Sequence, residues 1–194
     1  MTGPIVHGAE LAPGDLLICD GTADTSKLIE IGAILVGDPA ASHVCGYHHT
    51  DANGIPWGIE GRPGGVGWRD IRDYDRDPRT VTNAAQPKTG TQRQIITEWG
   101  VKLLHTAYDW KGGIAQDADA ALGLPPLPWH EDATGKVPGH VVCSSLWAWI
   151  YSWRAMIPAP KPPAQWETTT PGNWSEFVAE QAWNTSAPQP EPRG

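Results

Sequence analysis

The stretch Val141-Val142-Cys143-Ser144-Ser145-Leu146-Trp147-Ala148-Trp149-Ile150 carries the clearest structural signal in this chain. Two apolar residues lead into a cysteine, and apolar residues then recur at helical spacing. The pattern predicts a helix that begins at Cys143 and ends at Pro158, because proline lacks the N–H and clashes with the preceding turn. The apolar stripe of this helix consists of Leu146, Trp149, Ile150, Trp153, Met156 and Ile157.

A thiol at the start of a helix is placed for reactivity. It faces unpaired backbone N–H groups and the positive end of the helix dipole, and both stabilise the thiolate, which is the reactive form. Cys143 is therefore the candidate nucleophile, and the hydroxyl of Ser144 or Ser145 is expected to help cap the helix. The alternative is that Cys143 is a small core hydrophobe, as free cysteines usually are.

A thiolate nucleophile needs a base that later acts as an acid, and histidine fills both roles near neutral pH. Residues 42–50 and 55–62 are predicted to form the arms of a β-hairpin, because Asn53-Gly54 between them is a strong turn signal. His43 on the first arm is the candidate base. His140 is close to Cys143 in sequence, but a position three residues before a helix start is poor geometry for a base.

Glu60 on the second arm is the candidate third member of the site, and its placement depends on the hairpin register. A two-residue turn at Asn53-Gly54 sets Glu60 opposite Tyr47, roughly 13 Å along the strand from His43. A four-residue loop sets Glu60 opposite Cys45, a diagonal neighbour of His43 at ~7–8 Å between Cα atoms. Turn chemistry favours the first register and catalysis favours the second, so the sequence leaves both open. A solvated edge-strand charge is the alternative role for Glu60.

Four side chains on the first arm are of types that bind zinc: His43, Cys45, His48 and His49. Two of them face opposite sides of a regular strand, however, and no second cluster completes a ligand set. We therefore predict no metal site and no cofactor.

The other periodic segments predict short strands and helices around the hairpin. Strands are expected at residues 15–19 and 67–71, and a helix at residues 28–36. Thr91 and Gln94 fit a capping box for a second helix, which is ended by the stretch from Tyr108 onward. Together these elements predict an α+β fold in which a small antiparallel sheet packs on the Cys143 helix.

Proline-rich stretches set the expected organisation of the chain. Residues 73–88 and most of residues 114–140 are predicted to be loop. Residues 1–157 are expected to form the domain. Residues 158–194 are expected to be a Pro-rich linker and tail with a short helix at residues 174–183.

The composition excludes several classes of protein. The chain has 194 residues, of which 40% are hydrophobic, as suits one globular domain. A net charge of -8 without a run of Lys or Arg disfavours nucleic-acid and anionic-membrane partners. No apolar stretch reaches the ~20 residues of a transmembrane helix, and residues 1–11 lack a signal-peptide pattern. The protein is therefore expected to be cytoplasmic at synthesis.

Two residue types stand out in number. Three cysteines at irregular spacing give neither a disulfide framework nor a zinc motif, so at least one thiol of a monomer stays free. There are 11 Trp against one Phe. We expect these indoles to line the core and the walls of a groove, with a sugar-stacking surface as the alternative.

The order of these motifs is similar to that of a known superfamily. Along the chain come Gly14-Asp15-Leu16-Leu17, Ser42-His43-Val44, Ile59-Glu60, Tyr108 and Cys143-Ser144-Ser145-Leu146. This order resembles the circularly permuted branch of the NlpC/P60 papain-like superfamily, the YiiX-like hydrolases, in which the histidine strand precedes the cysteine helix. The resemblance covers roughly residues 11–157 and implies a papain-like fold.

The resemblance also implies a role for each matching residue. Cys143 corresponds to the nucleophile, His43 to the base, and Glu60 to the group that orients the imidazole. Tyr108 is similar to the family's tyrosine near the nucleophile and is implied to support the oxyanion. The chain departs from the family in a Pro-rich insertion at residues 113–140. It also lacks the acidic residue that often stands two positions after the cysteine. These departures leave the substrate open.

By this resemblance the chain is a cysteine hydrolase of amide bonds that works through an acyl-enzyme, and peptidoglycan peptides are the expected substrate. Without a signal peptide, delivery to the cell wall by a bacteriophage lysis or tail apparatus would fit. One alternative is a lipid or thioester acyl hydrolase or transferase, because permuted relatives are linked to lipid-like ligands and the Trp content suits an apolar groove. Another alternative is a non-catalytic binding module on the same fold. Oligomeric state stays open.

Overall fold

An antiparallel sheet is the centre of the computed structural model, which describes residues 3–19, 43–62, 64–75, 80–108, 137–181 and 183. A small hairpin of β1 (Ile5–Val6) and β2 (Ala9–Glu10) precedes it. The strands of the sheet are β3 (Leu16–Cys19), β4 (His43–Thr50), β5 (Pro56–Arg62), β6 (Gly65–Asp70) and β7 (Val81–Thr82). Their spatial order is β6-β5-β4-β3-β7, and all neighbours are antiparallel.

The helices lie mainly in the second half of the described chain. They are α1 (Arg72–Asp75), α2 (Gly90–Lys102), α3 (Cys143–Trp149) and α4 (Pro171–Glu180). A π-helix, Ile150–Arg154, continues α3, and a 3₁₀ helix, Pro163–Thr168, precedes α4. Two short parallel strands, β8 (Ala107–Tyr108) and β9 (His140–Val141), bring the residues before α3 beside those after α2. The α+β class with a small antiparallel sheet is thus confirmed.

Alternation along the strands divides the sheet into two faces. One face packs against α3, and Trp147 lies so close to β4 that a Cβ on Gly46 would stand 2.3 Å from its ring. The buried members from the strands on this face are Leu16, Ile18, Val44, Ile59 and Val66. The opposite face buries a second, smaller cluster with Leu17, Cys19, Cys45, Tyr47, Ile71 and Tyr74.

The hairpin adopts the register that the sequence left open. Glu60 pairs with Cys45, as the longer connection predicted. The geometry differs in detail, because Thr50 pairs with Pro56 and the register shifts between Tyr47 and His49. Residues 51–55 make the connection one residue longer than the four-residue loop, and the extra residue of the β-bulge on β4 restores the pairing of Glu60 with Cys45.

Three local predictions are wrong. The capping box of α2 uses Thr89 and Gln92, whose two mutual hydrogen bonds are 3.2 and 2.8 Å long, rather than Thr91 and Gln94. Tyr108 does not end a helix, because α2 stops at Lys102 and Tyr108 lies on β8. The segment 73–88, predicted to be loop, contains β7 and the last residues of α1.

The end of the Cys143 helix also differs from the prediction. The helical hydrogen bonding stops at Arg154, ahead of Pro158, because Met156 adopts a left-handed backbone with φ 53°. A non-glycine residue in that region cannot continue a right-handed helix. The predicted helix at residues 28–36 and most of the predicted loop at residues 114–140 lie outside the described residues.

The segment predicted to be a linker and tail contributes to the main core. The side chains of Trp166, Trp174 and Val178 are buried in the same apolar cluster as α3. The short helix is present, but it begins at Pro171, with Thr170 as its N-cap, rather than at residue 174. Residue 157 is therefore not a boundary of the hydrophobic core.

Within the described ranges, no helix is both long enough and apolar enough to cross a membrane.

Candidate active site

Cys143 is the first residue of α3, as the sequence predicts, and its side chain is buried. The backbone turn that presents it is closed by Ser145, whose Oγ accepts a 3.0 Å hydrogen bond from the Val142 N–H. Ser144 has a different contact, since its Oγ donates a 2.6 Å hydrogen bond to the Thr169 carbonyl. Of the two serines proposed as caps, Ser145 is therefore the one that fills the role.

His43 and Glu60 form a direct pair. Nε2 of His43 donates to Oε2 of Glu60 over 2.8 Å, and both residues are at most 9% exposed. They meet because His43 is the first residue of β4 and Glu60 opposes its near neighbour Cys45 on β5. Since Nε2 is engaged by the carboxylate, Nδ1 is the nitrogen left for exchanging a proton with a thiol.

The thiol and the imidazole interact strongly. Burial alone would lower the pKa of His43, but its hydrogen bonds with Cys143 and Glu60 and their charges raise it to about 10. Burial alone would raise the pKa of Cys143. The His43 cation and the backbone N–H groups of Val44 and Ser144 outweigh burial and lower the pKa of the thiol. Both shifts favour a thiolate–imidazolium pair.

The carboxylate of Glu60 has a second donor that the sequence did not reveal. The Tyr74 hydroxyl on α1 donates a hydrogen bond to the same Oε2 atom that accepts the hydrogen bond from His43. The rings of Tyr74 and His43 lie 5.8 Å apart with a 30° tilt. The other carboxylate oxygen, Oε1, lies 3.5 Å from Nη1 of Arg62. Burial raises the pKa of Glu60, but its contacts with His43 and Tyr74 lower it overall, so the group is ionised at neutral pH.

Tyr74 was missed because it lies in a charged stretch without a regular period. The available signal was Ile71 three residues earlier, since an apolar pair at that spacing predicts one buried helical turn. An aromatic residue with a polar hydroxyl in such a turn is suited to reach a buried partner.

Tyr108 lies beside the nucleophile. A Cβ built on Gly61 would stand 3.3 Å from the Tyr108 ring and 3.4 Å from both the backbone N and the Cα of Cys143. Gly61 thus borders Cys143 and Tyr108 at once, and a side chain at this position would crowd both. This places the tyrosine near the backbone N–H at which an oxyanion would form, while its oxyanion role stays a prediction.

The remaining histidines of the hairpin do not join the site. His48 and His49 contact each other through their Nδ1 atoms at 2.9 Å, and both rings pack edge-on against Trp68. His43 and Cys45 instead lie on the side of Glu60. Among the residues that the structure describes, no three His, Cys, Asp or Glu side chains form a group that could hold a metal ion.

No protein-family model matches the chain, and a search of curated proteins returns no match. The function of the chain is therefore inferred from the geometry of Cys143, His43 and Glu60.

Proposed function

We propose that this protein is a cysteine hydrolase of amide bonds on a papain-like fold of the permuted NlpC/P60 type, with Cys143 as nucleophile, His43 as base and Glu60 as the group that orients the imidazole. The observation that carries the proposal is the convergence of the three side chains. A thiol at a helix start contacts an imidazole whose far nitrogen is 2.8 Å from a buried carboxylate. A structural cysteine needs neither partner.

The proposed reaction follows from the protonation states. The Cys143 thiolate attacks the carbonyl carbon, and the negative oxygen is stabilised by the Cys143 backbone N–H with Tyr108 beside it. His43 then gives its Nδ1 proton to the leaving amine, which departs as the acyl-enzyme forms. The neutral imidazole next removes a proton from water, and the resulting attack releases the acid and restores the thiolate.

Peptidoglycan peptides are the proposed substrate class, supported by the order of motifs along the chain. The acyl-ester alternative relied on tryptophans that would line an apolar groove. Three of these side chains, Trp147, Trp149 and Trp174, are fully buried in the core instead. They therefore give the acyl-ester alternative no support.

The test is the pH dependence of alkylation at Cys143 by iodoacetamide, located by mass spectrometry. We expect a fast reaction that persists well below pH ~8.5, the free thiol value, and that slows in His43→Ala. The thiolate ultraviolet absorbance gives a second readout that needs no access for a reagent. Cys143→Ala is the blank, because Cys19 and Cys45 also carry thiols.

Two outcomes of this test would end the proposal. One is a Cys143 pKa at the ordinary value, and the other is a pKa indifferent to His43. Either would leave the binding-module alternative. If the pair is present, turnover of wall peptides against that of acyl esters separates the two substrate classes.

A further inference from the structure

The Glu60 carboxylate receives its two closest hydrogen bonds on one oxygen. Oε2 accepts from both His43 and Tyr74, while Oε1 has only the longer contact to Arg62, at 3.5 Å, among the contacts described. A buried carboxylate that can also turn toward an arginine has more than one favourable orientation. The Tyr74 hydrogen bond stabilises the orientation in which Oε2 faces the imidazole.

Tyr74 is itself held firmly. Its backbone N–H donates to the Ile71 carbonyl over 3.0 Å, and its carbonyl accepts from the Thr80 hydroxyl over 2.9 Å. Ile71 is in turn joined to the sheet by a 3.1 Å hydrogen bond from its N–H to the Pro56 carbonyl. The Tyr74 side chain is 4% exposed. The direction of its hydroxyl is therefore fixed by these backbone hydrogen bonds and by burial.

The protonation state of Tyr74 suits a permanent donor. Burial, together with the nearby Cys45, Glu60 and Cys19, raises the pKa of the phenol above its ordinary value. The hydroxyl therefore stays protonated over the range in which Cys143 and His43 titrate. Among the residues that the structure describes, the titratable and charged groups that face the Tyr74–Glu60 pair are Cys19 on β3, His43 and Cys45 on β4, Arg62 on β5 and Arg69 on β6.

We propose that Tyr74 is a positioning residue of the site: it holds the Glu60 carboxylate against Nε2 of His43, and thereby keeps Nδ1 directed at the Cys143 thiol. This inference rests on the proposed function, because a thiol that needs no base needs no oriented imidazole. It adds Tyr74 to Cys143, His43 and Glu60. Tyr74 does not act on the thiol directly but through Glu60 and then His43.

The test compares Tyr74→Phe with Tyr47→Phe. Tyr47 is a matched control, because it is also 4% exposed, belongs to the same apolar cluster, and bonds Thr50 rather than Glu60. We expect Tyr74→Phe to raise the pKa of Cys143 by about one unit, as fits the loss of one hydrogen bond to a charged group. We expect Tyr47→Phe to leave that pKa unchanged. The readouts are the alkylation rate and the thiolate absorbance against pH.

A double-mutant cycle with Glu60→Gln separates positioning from a general loss of packing. If Tyr74 acts through the carboxylate, adding Tyr74→Phe to Glu60→Gln shifts the pKa of Cys143 little further. Full additivity, or equal shifts in the two tyrosine variants, would overturn the proposal while leaving the Cys143–His43 pair intact. A thiol indifferent to His43→Ala would overturn both this proposal and the proposed function.

Discussion

The two faces of the five-stranded sheet differ in what they bury. The face toward α3 is covered by aliphatic and indole side chains, with the Trp147 ring lying on Gly46. The opposite face has a smaller apolar cluster and also contains the buried pair of His43 and Glu60. The same strands supply both faces, so a single register determines the packing on one side and the chemistry on the other.

Physical chemistry gives the two faces different roles. Apolar burial is non-directional and is the main source of stability. A buried ion pair must recover a large desolvation cost, so it is weak evidence for stability. We therefore expect substitutions on the α3 face to change the free energy of unfolding, and substitutions on the His43 face to change proton affinities.

The largest effect is expected for Trp147→Ala. The side chain is 2% exposed between β4 and α2, where Gly100 also approaches it. Its removal leaves a cavity, and we expect a loss of about 3–5 kcal/mol in the free energy of unfolding, measured by urea denaturation. Trp68→Ala is the control on the same face, because Trp68 is only partly buried and should cost clearly less. Equal losses in the two variants would contradict the assignment of the core to α3.

A smaller effect is expected in the pH dependence of stability, which depends on the other face. The folded pKa of His43 lies above its ordinary 6.5, at about 10, so protonation of His43 stabilises the fold below pH 6.5 and this stabilisation is lost as the pH rises toward 10. The folded pKa of Cys143 lies below its ordinary 9.0. Its contribution is complete above pH 9.0 and is lost as the pH falls through the folded value.

Together these two shifts predict a pH range in which the contribution of the pair to the free energy of unfolding does not change. Below pH 9.0, down to the folded pKa of Cys143 or to 6.5, whichever is higher, the folded imidazolium–thiolate pair and the unfolded imidazole and thiol hold the same number of protons, so the pair adds no slope. Above pH 9.0 the folded pair holds one proton more than the unfolded groups, so the stability that it contributes falls as the pH rises toward 10. This contribution is measured as the difference in the free energy of unfolding between the wild-type protein and His43→Gln/Cys143→Ala, by urea denaturation at fixed pH, because other groups such as Lys88 titrate in both proteins. A difference that falls steadily all the way up to pH 9.0 would mean that His43 holds its proton without a thiolate partner.

Part of this arrangement was accessible from the sequence. Period-two alternation and the Asn53-Gly54 turn predicted the hairpin, and the apolar stripe after Cys143 predicted its helix. The register of Glu60 was not decidable, because the β-bulge that sets it depends on how the strands pack and has no local signal.

Other features depend on contacts between distant segments. Tyr74 reaches Glu60 only because α1 folds back beside β5, and a stretch of charged residues gives no periodic signal for that. The Pro-rich composition after residue 157 predicted a linker, yet Trp166 and Trp174 pack into the core. A polar, Pro-rich composition predicts that a segment is exposed on average. The burial of two large indole side chains is nevertheless enough to pack the segment against the core.

The smallest expected effect tests whether this docked segment belongs to the core or to the chemistry. The Trp174 indole donates a 3.1 Å hydrogen bond to the Ser144 carbonyl, one residue after the nucleophile. Trp174→Phe keeps an aromatic ring but removes the donor, and we expect a loss of about 1 kcal/mol in the free energy of unfolding. The pKa of Cys143 should stay the same, because this bond reaches neither the thiol nor His43.

Trp153→Phe is the matched control for that variant. Its indole also donates to a carbonyl, that of Pro163 over 2.9 Å, but at an exposed position where water can replace the partner. Its unfolding free energy should therefore change less than that of Trp174→Phe. If Trp174→Phe instead raises the pKa of Cys143, the C-terminal helix contributes to the thiol environment as well as to the core. The separation of stability on one face from proton affinity on the other would then fail at the start of α3. There, the nucleophile and residues of the apolar core lie in the same helical turn.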